Sequence, residues 1–188
     1  MKPNQQIKKE PGKYNALTFQ KKFTTVTSIS YIIDKPSRKD WLYHTSPLNH
    51  YRLNEKIQLI SEQKKINHRS YKYQVRCPEF CDKPLFRFDS DGATHKNKNK
   101  PLGKQAVPPP HFNYYDDDGN SLAYQTEELK AATDGDLDDL SKFFNHFCYE
   151  CWIVEPTSKP LTVVSGDSRK LYFKETNNDP LSNIKFDL

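Results

Sequence analysis

The sequence has no apolar run of the roughly 18 residues that a membrane-crossing helix needs. Its opening residues, MKPNQQIKKEPGKYN, also lack the apolar core of a secretory leader. These absences exclude a helical membrane anchor and point to a cytoplasmic protein with no membrane partner. Apolar residues make up only 35% of the chain, yet Tyr and Phe number 11 each, so a small aromatic core among polar loops is expected. No internal repeat is visible, and no HxH or HxxxH spacing marks a histidine metal site.

Cysteines number four, as Cys77-x3-Cys81 and Cys148-x2-Cys151. Two close pairs have the ligand type of a four-thiolate zinc site. The second pair, however, ends a helical run and lacks the glycine-containing knuckle that usually follows such a spacing. Reduced, partly buried thiols are the expected state, with no disulfide, no metal and no cofactor in the scheme.

The net charge of +5 conceals an asymmetry. Residues 1–76 hold 16 Lys/Arg against 5 Asp/Glu, 77–104 hold 6 against 4, and 105–188 hold 7 against 15. Opposed halves have two explanations. One is a basic surface for RNA or another polyanion; the other is mutual neutralisation within the fold.

At 188 residues the chain suits one domain with extensions. Residues 1–15 read as a disordered basic tail, 16–155 as a single α+β domain, and 156–188 as an extension with a peripheral hairpin near Leu161–Val164 and Leu171–Phe173. Leu17 to Ile33 favours extended structure, and Trp41 to Tyr51 reads as irregular. Period-two alternation predicts strands near residues 57, 73, 87, 113 and 123, forming an antiparallel sheet. One main helix over 136–150 covers it: Thr133 to Asp136 supply caps, and Leu137, Leu140, Phe144, Phe147 and Cys151 form a stripe that Phe143 and Cys148 widen.

Asp118-Gly119 signals a tight turn with Ser121–Tyr124 returning as a strand. The segment Asp116-x-Asp118-x-Asn120, with Glu127 eleven residues after Asp116, has some of the pattern of a calcium loop. Ser121 stands where that loop needs glycine, which favours the hairpin.

The alternation in Leu85–Asp89 puts Phe86 and Phe88 on one face and Arg87 and Asp89 on the other. In His111–Tyr115 it separates Phe112 and Tyr114 from His111, Asn113 and Tyr115. If the strands pair, Arg87, Asp89, His111 and Asn113 share a polar face, with His95 and Asn97 arriving from the connecting loop. Each residue also has an ordinary structural role open to it: Arg87 with Asp89 as an ion pair, the histidines on loop carbonyls, the asparagines at turns.

The run Leu85-Phe86-Arg87-Phe88-Asp89, Gly92, His95, Asn97 and then Pro110-His111-Phe112-Asn113-Tyr114, followed by the Phe144–Cys148 helix end, resembles a family of small uncharacterised bacterial and phage proteins, a domain of unknown function. The likeness covers roughly residues 55–155. A more distant similarity is to TumE-type toxins of toxin–antitoxin pairs, which also place an aromatic-Arg-aromatic-Asp strand before a His-containing loop and a Pro-His strand. Asn113 stands where those patterns have a second histidine. The resemblance implies an α+β protein that acts on nucleic acid by metal-independent RNA cleavage. In that scheme His95, His111, Arg87 and Asp89 are catalytic, and Lys96, Lys98, Lys100, Lys104, Asn113 and Tyr115 bind the nucleic acid. A metal hydrolase using His111, Asp89 and the Asp116–Asp118 cluster is a further alternative. A rival of another class is a non-catalytic module that binds a partner protein, such as a phage-encoded inhibitor or an antitoxin-like partner.

Overall fold

The computed structural model describes residues 2–31, 33–154 and 160–164. Two short helices come first, α1 (Gln5–Lys9) and α2 (Pro11–Phe19), then strands β1 (Lys22–Thr24), β2 (Ser28–Ser30), β3 (Ile33–Lys35), β4 (Arg38–His50), β5 (Ile57–Lys64), β6 (Tyr71–Arg76) and β7 (Phe86–Asp89). A small hairpin, β8 (His95–Lys96) and β9 (Ala106–Val107), precedes β10 (His111–Tyr115) and β11 (Ser121–Tyr124). Helices α3 (Glu127–Ala131) and α4 (Leu140–Glu150) follow, then β12 (Ile153–Val154) and β13 (Thr162–Val164).

Nine strands form one sheet in the order β11-β10-β7-β6-β5-β4-β1-β12, with β3 also on β4. Every pairing in it is antiparallel except β1 with β12. The five expected strands are β5, β6, β7, β10 and β11, adjacent in the sheet.

Alternation sorts their side chains into two faces. Leu59, Tyr73, Val75, Phe86, Phe88 and Phe112 are fully buried on one face. Against it α4 lays Phe143, Phe144 and Phe147, with Phe143 stacked on Phe88 at 5.8 Å between centroids and Phe144 edge-on to Tyr73 at 5.0 Å. Such pairs add about 0.5–1.5 kcal/mol each beyond area burial. The helix starts later than expected. Asp139 caps it by accepting from the Lys142 N–H, while Thr133 donates to the Asp136 carboxylate at the start of the preceding 3-10 turn that holds Leu137.

Three expectations are corrected. Residues 4–15 are not a disordered tail: Asn4 caps α1, Pro11 opens α2, and Ile7 and Tyr14 are fully buried. The few apolar residues of this basic segment fall on one side and close the core, Tyr14 donating to the Leu85 carbonyl and accepting from the Tyr115 N–H. Residues 11–19 are helical, so Leu17 belongs to α2 and not to an extended run. The stretch 41–51 is mostly the longest strand, β4, whose buried positions include polar Ser46 and His50 and so conceal the alternation.

Within the C-terminal extension, Thr162–Val164 pairs in parallel with Ser28–Ser30, so its partner is an early strand. Leu171–Phe173 lies outside the described residues. Among the described residues no helix is long and apolar enough to cross a membrane.

The Asp118-Gly119 turn joins β10 to β11 as expected. Asp116 accepts from the Asn120 backbone N–H at 2.8 Å, and Gly119 adopts φ +75°. A side chain is excluded there twice over, because a Cβ would sit 2.2 Å from the Asn4 carbonyl oxygen, and the Asn4 N–H donates to the Gly119 carbonyl. The first helix is thereby docked on this turn.

Candidate functional site

The second face of the sheet is polar, and register defines its rows. Glu62, Lys72, Asp89 and His111 are successive cross-strand partners. Gln74, Arg87 and Asn113 form the next row. Beside them lies a cleft of about 650 Å³, lined by Lys72, Arg87, Asp89, His95, Lys96, Lys98 and His111, with Asp91 to Thr94, Asn99, Asn120 and Ser121 completing the rim.

Asp89 is the hub. It is only 4% exposed, and its Oδ2 accepts from Arg87 Nε at 2.7 Å and from Asn113 Nδ2 at 2.8 Å. The same oxygen lies 3.8 Å from His111 Nε2. Its Oδ1 accepts no hydrogen bond and faces Lys72 Nζ at 3.4 Å. Arg87 spends only Nε on this carboxylate, so its terminal N–H groups are not committed to a described residue.

The two histidines meet edge to face, with ring centroids 6.2 Å apart. His95 is half-buried and its Nε2 is 3.2 Å from the Ser121 carbonyl. A carbonyl only accepts, so Nε2 carries a proton and Nδ1 is left with its lone pair free to accept. His111 is 3% exposed. Burial lowers its pKa below the ordinary histidine value, with the Asp89 carboxylate opposing that shift and His95 and Arg87 adding to it. The Pro108 carbonyl also favours the charged ring, but His111 Nδ1 makes no hydrogen bond of ordinary geometry. The balance favours the neutral ring of His111.

Asn97 has a different task from the one expected. Its side chain bonds both backbone groups of Ala123 on β11, donating to the carbonyl at 2.8 Å and accepting from the N–H at 2.8 Å. That pair of bonds fixes the β8–β9 hairpin and sets His95 over the cleft.

The structure thus brings Arg87, Asp89, His95, His111, Lys96 and Lys98 together. Lys100 and Lys104 do not line the cleft, because the chain reverses between Asn97 and Gln105 and turns them outward at the hairpin tip. Asn113 is 7% exposed and holds the Asp89 carboxylate, so it supports the cleft and does not face a ligand. Tyr115 packs edge-on against Tyr14 at 6.0 Å and does not line the cleft. Lys72 went unremarked in the sequence, although the alternation of Tyr71 and Tyr73 already put it on the polar face.

The metal alternatives do not assemble. Asp116 bonds Asn120 and Asn99, Asp117 bonds Asn15 and Asp118 pairs with Lys8, so each of these carboxylates is engaged by a side chain of its own. The four thiols are buried and free, and burial raises the pKa of each. Among the described residues no group of three or more His, Cys, Asp or Glu side chains is placed to hold a metal ion. No family model, no curated protein and no solved structure matches the chain.

Proposed function

We propose that the cleft binds a phosphodiester of RNA and cleaves it through the 2'-hydroxyl. The observation that carries this is the convergence of two histidines, an arginine and several lysines around a buried carboxylate in one cleft. In such a cleavage His95 Nδ1, free to accept while Nε2 is engaged, takes the 2'-hydroxyl proton. Arg87 and Lys72 stabilise the charge of the phosphorane, with Asp89 holding both in place. A phosphate entering beside His111 adds negative charge, which opposes the effect of burial and draws a proton onto the ring. His111 then protonates the leaving oxygen. In this reading the resemblance of residues 85–114 to TumE-type toxins is one of function as well as of motif, and the protein acts in the cytoplasm. The scheme needs no metal.

The test is purified protein on total RNA, with and without EDTA. Cleavage is expected in both, and His111→Ala and Arg87→Ala are each expected to abolish it in protein that still folds, with a lowered unfolding midpoint because Arg87 partners the buried Asp89 carboxylate and His111 is itself buried. Lys96→Glu with Lys98→Glu is expected to weaken RNA binding and its salt dependence, and Lys100→Glu with Lys104→Glu to do so far less. No cleavage of any RNA by the wild type refutes the proposal, and tight association with a partner protein in its place favours a non-catalytic binding module.

A further inference from the structure

We propose that the polar face of the sheet beyond the cleft is a binding track for single-stranded RNA with Tyr43 as its stacking platform, an inference that rests on the phosphodiester reading of the cleft. The register row that ends in Lys72, Asp89 and His111 begins further across the sheet, running Ile33, Tyr43, Glu62, Lys72. With strands about 4.8 Å apart, Tyr43 lies three strands, or about 14 Å, from Asp89 on the same face. That is within reach of one short stretch of nucleic acid.

The charges of this face fit a polyanion. Its two carboxylates are already matched, Glu62 by Lys35 at 2.5 Å and Asp89 by Arg87 at 2.7 Å. Lys64 shares the face, as the cross-strand partner of Trp41, and Arg76 lies on it two residues beyond Gln74. Neither cation has a carboxylate partner among the described residues, Arg76 being bonded to the neutral Asp82 carbonyl.

Two aromatic rings sit among these cations, Trp41 buried at 3% exposure and Tyr43 accessible to a ligand. Trp41 lies under Arg38, whose Cζ is 4.6 Å from the ring centroid, and Lys72 Nζ is 5.5 Å from the same ring. Tyr43 is partly buried and lies beside Ile33, which is 56% exposed. Aromatic platforms interleaved with cations bind single strands, because unpaired bases stack while phosphates meet the positive groups. Duplex bases are already stacked on one another and offer no free face, so the single strand is the form this surface selects. Lys72 touches both regions, bridging the track at Trp41 to the cleft at Asp89.

The test is fluorescence anisotropy with the full chain and a labelled oligouridylate of about a dozen nucleotides, alongside cleavage of a uridine dinucleotide too short to reach Tyr43. Tyr43→Ala is expected to weaken oligonucleotide affinity about tenfold, as the loss of one stacked base does, with the dinucleotide rate unchanged. Tyr43→Phe should retain wild-type affinity, which a merely structural role of the hydroxyl would not predict. Lys64→Glu and Arg76→Glu should each reduce the salt dependence by about one counterion. Wild-type affinity in Tyr43→Ala, or equal affinity for single strand and duplex, overturns the track. Tyr43-dependent binding without any cleavage leaves the track standing and removes the ribonuclease; normal cleavage and affinity in Tyr43→Ala does the reverse.

Discussion

Replacing Asp89 tests the central arrangement more directly than removing any histidine. In Asp89→Asn the new side chain can keep an oxygen toward Arg87 Nε and Asn113 Nδ2, at 2.7 and 2.8 Å in the wild type, so both bonds survive, the first still assisted by the guanidinium charge and the second now neutral. A hydrogen bond involving a charged group contributes about 1.5–3 kcal/mol and a neutral one about 0.5–1.5. One such downgrade costs about 1 kcal/mol, and the lost ion pairing with the partly exposed Arg87 and Lys72 adds about 1 kcal/mol more. Asp89→Leu fits the volume but strands every partner: the buried Asn113 amide loses its acceptor and the two partly exposed cations lose their carboxylate, together about 2–4 kcal/mol. The assay is urea unfolding of the three proteins at neutral pH, with midpoints compared at equal slope. The expected order is wild type, then Asn, then Leu. A leucine variant as stable as the wild type would refute the role of Asp89 as the hub of this face.

His44, His50 and His111 all have lowered pKa values, burial being the main cause in each. Below about pH 6.5 the unfolded chain then binds more protons than the folded one, so stability is held above that pH and falls as pH drops; a urea midpoint at pH 5 no lower than at pH 7.5 would contradict this. Lys22 is fully buried, donates to the Thr18 and Gln20 carbonyls, and has its pKa lowered to about 8 by burial. The folded state sheds that proton before the unfolded one does, so the wild type should gain about 3 kcal/mol on Lys22→Met between pH 7 and pH 10.5, read as the difference of their unfolding curves. A constant difference would place the ammonium in contact with solvent. Gly119→Ala should cost about 1–2 kcal/mol from the left-handed backbone, with the Cβ contact at Asn4 adding to it, and should release α1 from the turn, seen as faster hydrogen exchange at Ile7; wild-type exchange there would be the contrary result.

Strands with aromatic residues on one face were legible because burial and period coincided, as in Phe86–Phe88 and Phe112–Tyr114. The same alternation gave the shared polar face of Arg87, Asp89, His111 and Asn113. It failed where polar residues occupy interior positions. Ser46 and His50 of β4 are buried, and so no apolar pattern announced the longest strand. In α1 and α2 the basic composition outweighed the local signals, an asparagine cap and a proline at the first turn, that mark helix starts. Tertiary contacts decided the rest. Nothing local says that Tyr14 reaches Leu85 and Tyr115, or that Lys98 faces the cleft while Lys100 turns away.

The outer strand of the sheet, β11, illustrates how site and solubility are tied together. A free strand edge is a template for another chain, and proteins commonly blunt it with charge, proline or a covering loop. Here the covering is done by two side chains: His95 takes up the Ser121 carbonyl and Asn97 both backbone groups of Ala123. The segment that carries the candidate base is thus also the cap on the sheet. Loosening it through Asn97→Ala would misplace His95 and open a docking edge at the same time, so loss of activity and concentration-dependent self-association would arrive as one phenotype. Selection against aggregation would then hold the cleft in shape even in the absence of selection on its chemistry.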